Sequence, residues 1–290
     1  MEIRTDLALE KHQHLSQDIP GIETSAYTLG GMTMTRLEVK TPQAAQTLGQ
    51  PVGCYVTAEG LDLTQDFRAA REHIEALGQE IAAMLPPEGA VLVVGLGNRV
   101  ITADALGPDS LSHILATRHI QGTLATQTGL DRLRSVAAVA TGVLGQTGLE
   151  ASELVGGLVE RLHPCALIVI DALAARSTER LGTTVQIGNT GISPGSGVGN
   201  HRQPLNEEVF GIPVIAVGVP TVVDAATLVI DRLPEGTDTA DLERLMHEQP
   251  MTVTPRNIDL LNERAAKLVG MAVNCALQPH YDFDTLAALI

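Results

Sequence analysis

The fold is decided by one stretch of the sequence, Val91-Leu-Val-Val-Gly-Leu-Gly-Asn-Arg-Val-Ile-Thr-Ala-Asp-Ala-Leu-Gly-Pro108. Its first four residues are all apolar, which is typical of a parallel strand that is covered on both faces. A glycine turn follows, and the carboxylate of Asp104 comes after it. A second apolar strand, residues 166–170, ends on another carboxylate, Asp171. Because ligands in open α/β sheets bind at the carboxyl ends of the strands, the sequence predicts two acids at one functional edge.

Short apolar strands alternate with helices along most of the chain. This alternation predicts an α/β fold, a three-layer α/β/α sandwich with a mostly parallel central sheet. Aromatic residues make up only 2% of the sequence, so Ala, Val, Leu and Ile must build the core. The expected strands cover 33–39, 51–57, 91–94, 136–140, 166–170, 185–187 and 214–217, and the expected helices cover 65–85, 108–119, 150–162, 221–230 and 257–275.

The length of 290 residues fits a single domain, residues 1–290, and no linker marks a boundary inside it. Residues 1–20 are polar with little apolar periodicity, and we expect them to form a loosely packed amino-terminal arm. Residues 21–60 could form a β-rich subdomain packed on the rest.

Charge and cysteine content exclude several classes of protein. The formal net charge is 19 − 34 = −15, which repels phosphate backbones and attracts basic proteins, so no direct nucleic-acid partner is expected. No apolar run is long enough to span a bilayer and no signal-peptide pattern is present, so we expect a cytoplasmic protein. The three scattered cysteines, Cys54, Cys165 and Cys275, should be reduced, buried thiols rather than a disulfide framework or a zinc site.

The two acids could carry a hydrolytic reaction. Asp104 and Asp171 are 171 − 104 = 67 residues apart in the sequence. If their carboxylates approach closely, repulsion raises one pKa, so that one acid is protonated while the other is ionised. Such a pair can activate a water for attack on a peptide carbonyl and return a proton to the leaving nitrogen. The alternative is that each acid only caps a turn or a helix.

Two glycine-rich segments are candidates for substrate contacts. The turn at Gly97-Asn98 is not a dinucleotide fingerprint, because Val100 stands where the third glycine is needed. We interpret it as a tight turn that brings backbone N–H groups up to a substrate or an oxyanion. The loop 191–200, with Gly197 inside it, could approach an extended peptide or could simply be a long connection. It lacks the Gly-Lys-Ser/Thr ending of a phosphate loop, and no cofactor or metal is expected.

Three further polar residues have plain structural alternatives. Arg176, five residues after Asp171, could hold a peptide carbonyl or pair with a site carboxylate, or it could form a surface salt bridge. Asp224 is expected in the first turn of a helix, where it favours the helix dipole. His119 is expected to end its helix as a cap rather than to act as a base. A serine nucleophile is disfavoured, because no Gly-x-Ser-x-Gly elbow with a partner histidine is present.

Several longer motifs follow one another between residue 4 and about residue 231, and one more lies near the end of the chain. The first group is Arg4-Thr-Asp-Leu-Ala8, Val93-Val-Gly-Leu-Gly-Asn98, Asp104-Ala-Leu-Gly-Pro108, Thr117-Arg-His119, Gly142-Val-Leu-Gly145, Thr147-Gly-Leu-Glu-Ala-Ser-Glu153, Asp171-Ala-Leu-Ala-Ala-Arg176, Pro194-Gly-Ser-Gly-Val-Gly-Asn200 and Gly218-Val-Pro-Thr-Val-Val-Asp-Ala225, and the last motif is Met251-Thr-Val-Thr-Pro255. In these motifs and in their order the sequence resembles the germination protease family of spore-forming bacteria.

The resemblance implies an endopeptidase, an atypical aspartic protease that degrades the small acid-soluble proteins of the spore core during germination. Its essential aspartates map onto Asp104 and Asp171. The implied fold is similar to that of the hydrogenase-maturation endopeptidases, the implied assembly is a homotetramer, and no metal requirement is implied. Two alternatives remain: a metal-assisted maturation-type endopeptidase that uses the same acids, and a non-enzymatic acidic binding protein for basic spore proteins.

The sequence departs from the family pattern at two places. Family members are zymogens whose propeptide is cut just before a segment like Arg4-Thr-Asp-Leu-Ala8, but only three residues precede Arg4 here. The bond between Glu2 and Ile3 resembles the Glu-then-apolar bond that the family cuts. The stretch between Asp231 and Met251 is shorter than is usual, which bears on oligomer contacts or substrate selectivity and leaves the two acids untouched.

Overall fold

The computed structural model describes residues 4–15, 18–63, 67–120, 130, 132–193, 203–230, 232–234 and 251–290. In this part of the chain nine strands form one sheet. They are β1 (Ile22–Leu29), β2 (Met32–Val39), β3 (Gly53–Glu59), β4 (Val91–Leu96), β5 (Val136–Gly142), β6 (Ala166–Ala175), β7 (Thr184–Gly188), β8 (Val214–Asp224) and β9 (Thr252–Val253).

Helices connect and cover these strands. None of the described helices is both long and apolar enough to cross a membrane. The helices are α1 (Ala8–Leu15), α2 (Pro42–Leu48), α3 (Arg71–Ala83), α4 (Leu106–Ser110), α5 (Leu144–Thr147), α6 (Ala151–Leu162), α7 (Glu207–Phe210), α8 (Ala225–Ile230), α9 (Ile258–Leu277) and α10 (Phe283–Leu289), and 3₁₀ turns cover Thr102–Asp104, Leu111–His113 and Thr178–Arg180.

The strand order is β1-β2-β3-β7-β8-β6-β4-β5, with β9 paired to β8. The neighbours β5, β4, β6 and β8 run parallel to one another. The pairs from β8 through β7, β3 and β2 to β1 are antiparallel. The predicted α/β class with a parallel central sheet is confirmed, and β1–β3 continue that sheet through the β3–β7 pair rather than form a sheet of their own.

The layers follow from the alternation of side chains along each strand. In β4, Val91 and Val93 belong to the core that includes residues of α3 and α9. Leu92 and Val94 face the other way and pack in a separate cluster with Val155 of α6. Helices therefore cover both faces of the sheet, which confirms the three-layer arrangement.

The helix predicted over 108–119 is wrong in both bounds. Helix α4 begins before Pro108 and ends at Ser110, and after the next 3₁₀ turn the chain is extended at Ile114. The side chain of Asn274 on α9 accepts a hydrogen bond from Leu115 N (2.9 Å) and donates one to His113 O (2.7 Å). These tertiary contacts satisfy the backbone where the predicted helix would have continued, and His119 does not cap a helix.

The helix predicted over 221–230 begins later, at Ala225, because β8 runs on to Asp224. The run Thr221-Val-Val223 is β-branched and favours a strand, and Val223 pairs with Val253 of β9. Asp224 keeps a structural role: its Oδ1 accepts hydrogen bonds from Ala226 N and Thr227 N at the start of α8.

The three cysteines are free, as predicted, but they are half-buried rather than fully buried. Burial raises the pKa of the Cys275 thiol to about 11, and it raises the pKa of the Cys54 thiol above its ordinary value. Both thiols are therefore protonated near neutral pH.

The amino-terminal arm is tightly packed over residues 4–15, so the expectation of loose packing is wrong there. Leu7 and Ala8 are fully buried. Asp6 N donates to Ala174 O (2.9 Å), and Asp6 Oδ2 accepts a hydrogen bond from Ala174 N (2.8 Å). The polar residues that suggested solvent exposure instead satisfy backbone groups at the end of β6.

Glu10 joins this arm to the turn that follows β6. Its side chain is almost completely shielded from solvent. The carboxylate is surrounded by hydrogen-bond donors, namely Thr5 Oγ1, Arg176 N (2.6 Å), Ser177 N (3.0 Å) and Arg180 Nε (3.2 Å). The arm and the end of β6 therefore depend on one buried acid.

We expect Glu10→Ala to lower the free energy of unfolding by about 3 kcal/mol, because it leaves the N–H groups of Arg176 and Ser177 without their acceptor and removes one of the two carboxylates that pair with Arg180. Urea denaturation measures the loss. The matched control is Glu23→Ala, whose carboxylate pairs with Lys40 at the surface and should leave the midpoint unchanged. Equal midpoints for the two variants would contradict the structural role of Glu10.

Candidate active site

Asp171 lies at the carboxyl half of β6, next to β4. The parallel register pairs Gly95 of β4 with Ile170, so Asp171 is the first residue beyond that pairing. The predicted strand end at this position is wrong, because β6 continues to Ala175 with β8 as its neighbour. Asp171 is only 7% exposed, and its Oδ1 accepts a hydrogen bond from Ala172 N (2.9 Å).

Asp104 reaches the same edge on the 3₁₀ turn 102–104. Cα atoms of this turn lie within 8 Å of Cα atoms in β6 and β8. Thr221 Oγ1 of β8 donates to Ala103 O (2.6 Å), and Asp104 N donates to Ile101 O (2.8 Å). The turn is thus fixed against β8, the neighbour of the strand that carries Asp171, and both acids lie at the same edge of the sheet, as predicted.

The glycine turn holds Asp104 directly. Asn98 N donates both to Asp104 O (3.0 Å) and to Asp104 Oδ2 (2.9 Å). Gly97 has φ +114°, and a Cβ there would lie closer than 3.0 Å to the carbonyl oxygen of Asp104. The Asn98 N–H group therefore orients the acid, and contacts of Gly97 and Asn98 with a substrate stay predictions.

The start of α4 approaches the sheet at backbone distance. A Cβ on Gly107 would lie closer than 3.0 Å to Leu96 O and to Ile170 O. A Cβ on Gly95 would in turn meet Gly107 O at less than 3.0 Å. These two glycines let the chain after Asp104 lie directly on β4 and β6. The contact with β6 is at Ile170, the residue before Asp171.

The side chain of Asn98 connects two loops at this edge. Its Oδ1 accepts hydrogen bonds from Val100 N (3.0 Å) and from Gln146 Nε2 (2.8 Å). Gln146 belongs to α5, directly after β5. Asn98, predicted to bind substrate, thus also fixes the position of its own loop.

The other two predicted substrate contacts are further away or cannot be placed. Arg176 follows β6 and is five residues from Asp171, which corresponds to about 16 Å of extended strand. Its backbone N–H donates to Glu10. Gly197 lies outside the residues that the structure describes. Both assignments stay predictions.

A metal ion would need more ligands than the two acids provide, since Zn²⁺ usually takes three or four protein ligands. Among the described residues no group of three or more His, Cys, Asp or Glu side chains is arranged to hold a metal ion. Burial lowers the pKa of His113, in the 3₁₀ turn after α4, so this imidazole is neutral near pH 7.

The sequence model of the germination protease family matches residues 2–234. The chain belongs to the germination protease family. It is 41% identical to the germination protease of Caldanaerobacter subterraneus subsp. tengcongensis over 96% of this chain and 94% of that protein. It is 36% identical to the germination protease of Clostridium tetani over 99% and 98% of the two chains. The hydrogenase maturation protease HycI from Thermococcus kodakarensis aligns with 67% of this chain and 98% of its own, at 16% identity and a TM-score of 0.37.

Two residues that build the site of this germination protease family member could not be identified from the sequence. Thr221 pins the Asp104 turn, and Gly107 permits the close approach of α4. The sequence gives no indication of the role of Thr221, because its hydroxyl donates to a backbone carbonyl 118 residues away in the sequence. For Gly107, the indication of a role at the site is its position inside the Asp104–Pro108 motif.

Proposed function

We propose that this protein is an aspartic endopeptidase that hydrolyses small acid-soluble spore proteins during germination, with Asp104 and Asp171 as its catalytic residues. The family membership establishes a protease of spore germination. The observation that supports the aspartic type is the delivery of two acids to one edge by neighbouring parallel strands, with backbone N–H groups orienting each carboxylate.

The proposed reaction uses one ionised and one protonated carboxyl group. The ionised acid removes a proton from a water molecule as the water oxygen bonds to the peptide carbonyl carbon. The protonated acid gives its proton to the leaving nitrogen as the C–N bond breaks. At the end the acid that was ionised is protonated, and the acid that was protonated is ionised. The fixed positions of Asp104 and Asp171 serve this exchange, since both groups must reach the same peptide bond.

The charge of the protein supports the choice of substrate. A net charge of −15 attracts a basic polypeptide and repels nucleic acid, which favours a basic spore protein as the substrate. We also propose, on the strength of the family resemblance, that the enzyme is made as a zymogen and acts as a homotetramer in the spore core.

Incubation with a purified small acid-soluble spore protein should produce new peptide termini, which mass spectrometry maps to defined bonds. Cleavage that is unchanged after exhaustive chelation supports the aspartic mechanism. Loss of cleavage on chelation, restored by a divalent ion, would favour the metal-assisted alternative. Binding of the spore protein without any new termini would show a binding protein and refute the proposed hydrolysis.

A further inference from the structure

Four large apolar side chains are exposed at the edge of the sheet where Asp104 lies. Their exposed fractions are 83% for Val100, 55% for Ile101, 41% for Leu144 and 49% for Leu149. We call these four residues the apolar rim. Exposed apolar residues are ordinary when they are scattered singly, but a group of them beside a reactive site indicates an interaction surface.

The rim comes from two segments that are fastened together. Val100 and Ile101 belong to the loop after β4, whereas Leu144 and Leu149 flank Gln146 in the segment after β5. The hydrogen bond from Gln146 Nε2 to Asn98 Oδ1 (2.8 Å) joins the two segments. The same Asn98 Oδ1 accepts from Val100 N (3.0 Å), so the backbone under Val100 is held in place.

The rim is continuous with the proposed catalytic residue. Ile101 O accepts a hydrogen bond from Asp104 N (2.8 Å), and Ile101 N donates to Asn98 O (3.0 Å). A substrate side chain bound on the rim would therefore be close to Asp104, so the peptide bond that reaches this carboxylate would be only a few residues away along the substrate. Val100, at 83% exposure, contributes almost nothing to the core of its own chain.

We propose that the apolar rim binds an apolar side chain of the extended polypeptide substrate, close to the bond that is cut. This inference rests on the proposed endopeptidase function and assigns a specificity-determining surface to it. The net charge of −15 selects basic polypeptides from a distance, and the uncharged rim then selects by apolar contact at the site. The occupant is a polypeptide substrate, because the backbone of the rim is hydrogen-bonded to the proposed catalytic residue Asp104. A second copy of this chain on the rim is an outcome that the test distinguishes.

The test measures binding separately from cleavage, with a fluorescently labelled small acid-soluble spore protein and the Asp104→Asn variant as the background. Adding Val100→Ser should weaken equilibrium binding about tenfold, because burial of a valine side chain is lost. The matched control is Val52→Ser, an exposed valine (48%) in the turn before β3, which should leave the affinity unchanged. Equal affinities with and without Val100→Ser overturn the proposal.

A peptide pair gives a second readout with the otherwise unchanged enzyme. One peptide spans the bond mapped by mass spectrometry, and the other has the apolar residues beside that bond replaced by serine. Val100→Ser should raise KM about tenfold for the first peptide and leave KM for the second unchanged. An equal effect on both peptides would overturn the role in side-chain recognition.

The outcomes separate this inference from the proposed function. If the unaltered enzyme cuts the spore protein and Val100→Ser binds and cuts it equally well, the rim assignment fails and the endopeptidase stands. If the unaltered enzyme cuts nothing and Val100→Ser still weakens binding, the hydrolysis fails and the rim stands. If Val100→Ser changes the sedimentation of the protein but not its affinity, the rim is a contact between copies and the proposal is overturned.

Discussion

Asp171→Asn should lower the rate of cleavage of a small acid-soluble spore protein by about a hundredfold to ten-thousandfold while the protein stays folded. The expected size follows from the contribution of a positioned acid or base to proton transfer, about 10²–10⁴-fold for one group. The amide of asparagine cannot exchange a proton as the carboxyl group does. It keeps an oxygen that can accept the hydrogen bond from Ala172 N, so the local structure should be preserved. Single-turnover cleavage followed by mass spectrometry measures the loss.

The same loss is expected for Asp104→Asn, since an asparagine oxygen can still accept from Asn98 N. Because the two acids act as a unit, the double variant should lose little more than either single variant. Asp282→Asn is the matched control: Asp282 only caps α10 through Thr285 N, and asparagine is an equally good cap. Normal turnover by Asp104→Asn or by Asp171→Asn would refute the paired-acid mechanism.

The position of the two acids could be predicted from sequence because local patterns determine it. The apolar run of β4 and the run at 166–170 each end at one edge of the sheet, whatever the rest of the chain does. That their strands are neighbours could not be predicted, because strand order depends on contacts between distant segments. The family resemblance pairs only the two acids, whereas the register of Gly95 with Ile170 shows that β4 and β6 are neighbours.

The extension of β6 past Asp171 could not be predicted, and its cause is tertiary. Ala172–Ala175 pair with β8, and the amino-terminal arm supplies Asp6 as a partner for Ala174. The polar residues of the arm predict loose packing, yet the side chain of Asp6 binds the backbone of β6. A short polar segment at a chain end carries no periodicity that could distinguish this role from exposure to solvent.

Gly107→Ala should be a strongly damaging single-methyl change near the site. Its Cβ would lie closer than 3.0 Å to three backbone atoms, Leu96 N, Leu96 O and Ile170 O. Backbone atoms in the middle of a sheet cannot rotate away as a side chain can, so α4 must move off β4 and β6. We expect a loss of more than about 3 kcal/mol in the free energy of unfolding, at the upper end of the cost of overpacking. Urea denaturation measures it.

The displacement of α4 also links this change to catalysis. Helix α4 follows Asp104 after one residue, so moving the helix moves the acid away from β6. Protein that stays folded should therefore have lost most of its cleavage activity. The matched control is Gly157→Ala in α6, where the added Cβ meets no atom within 4 Å. Alanine there should raise the free energy of unfolding by about 0.5–1 kcal/mol and leave cleavage unchanged, because glycine is the poorer helix former. If Gly107→Ala were as stable and as active as Gly157→Ala, close backbone packing of α4 could not be what positions Asp104.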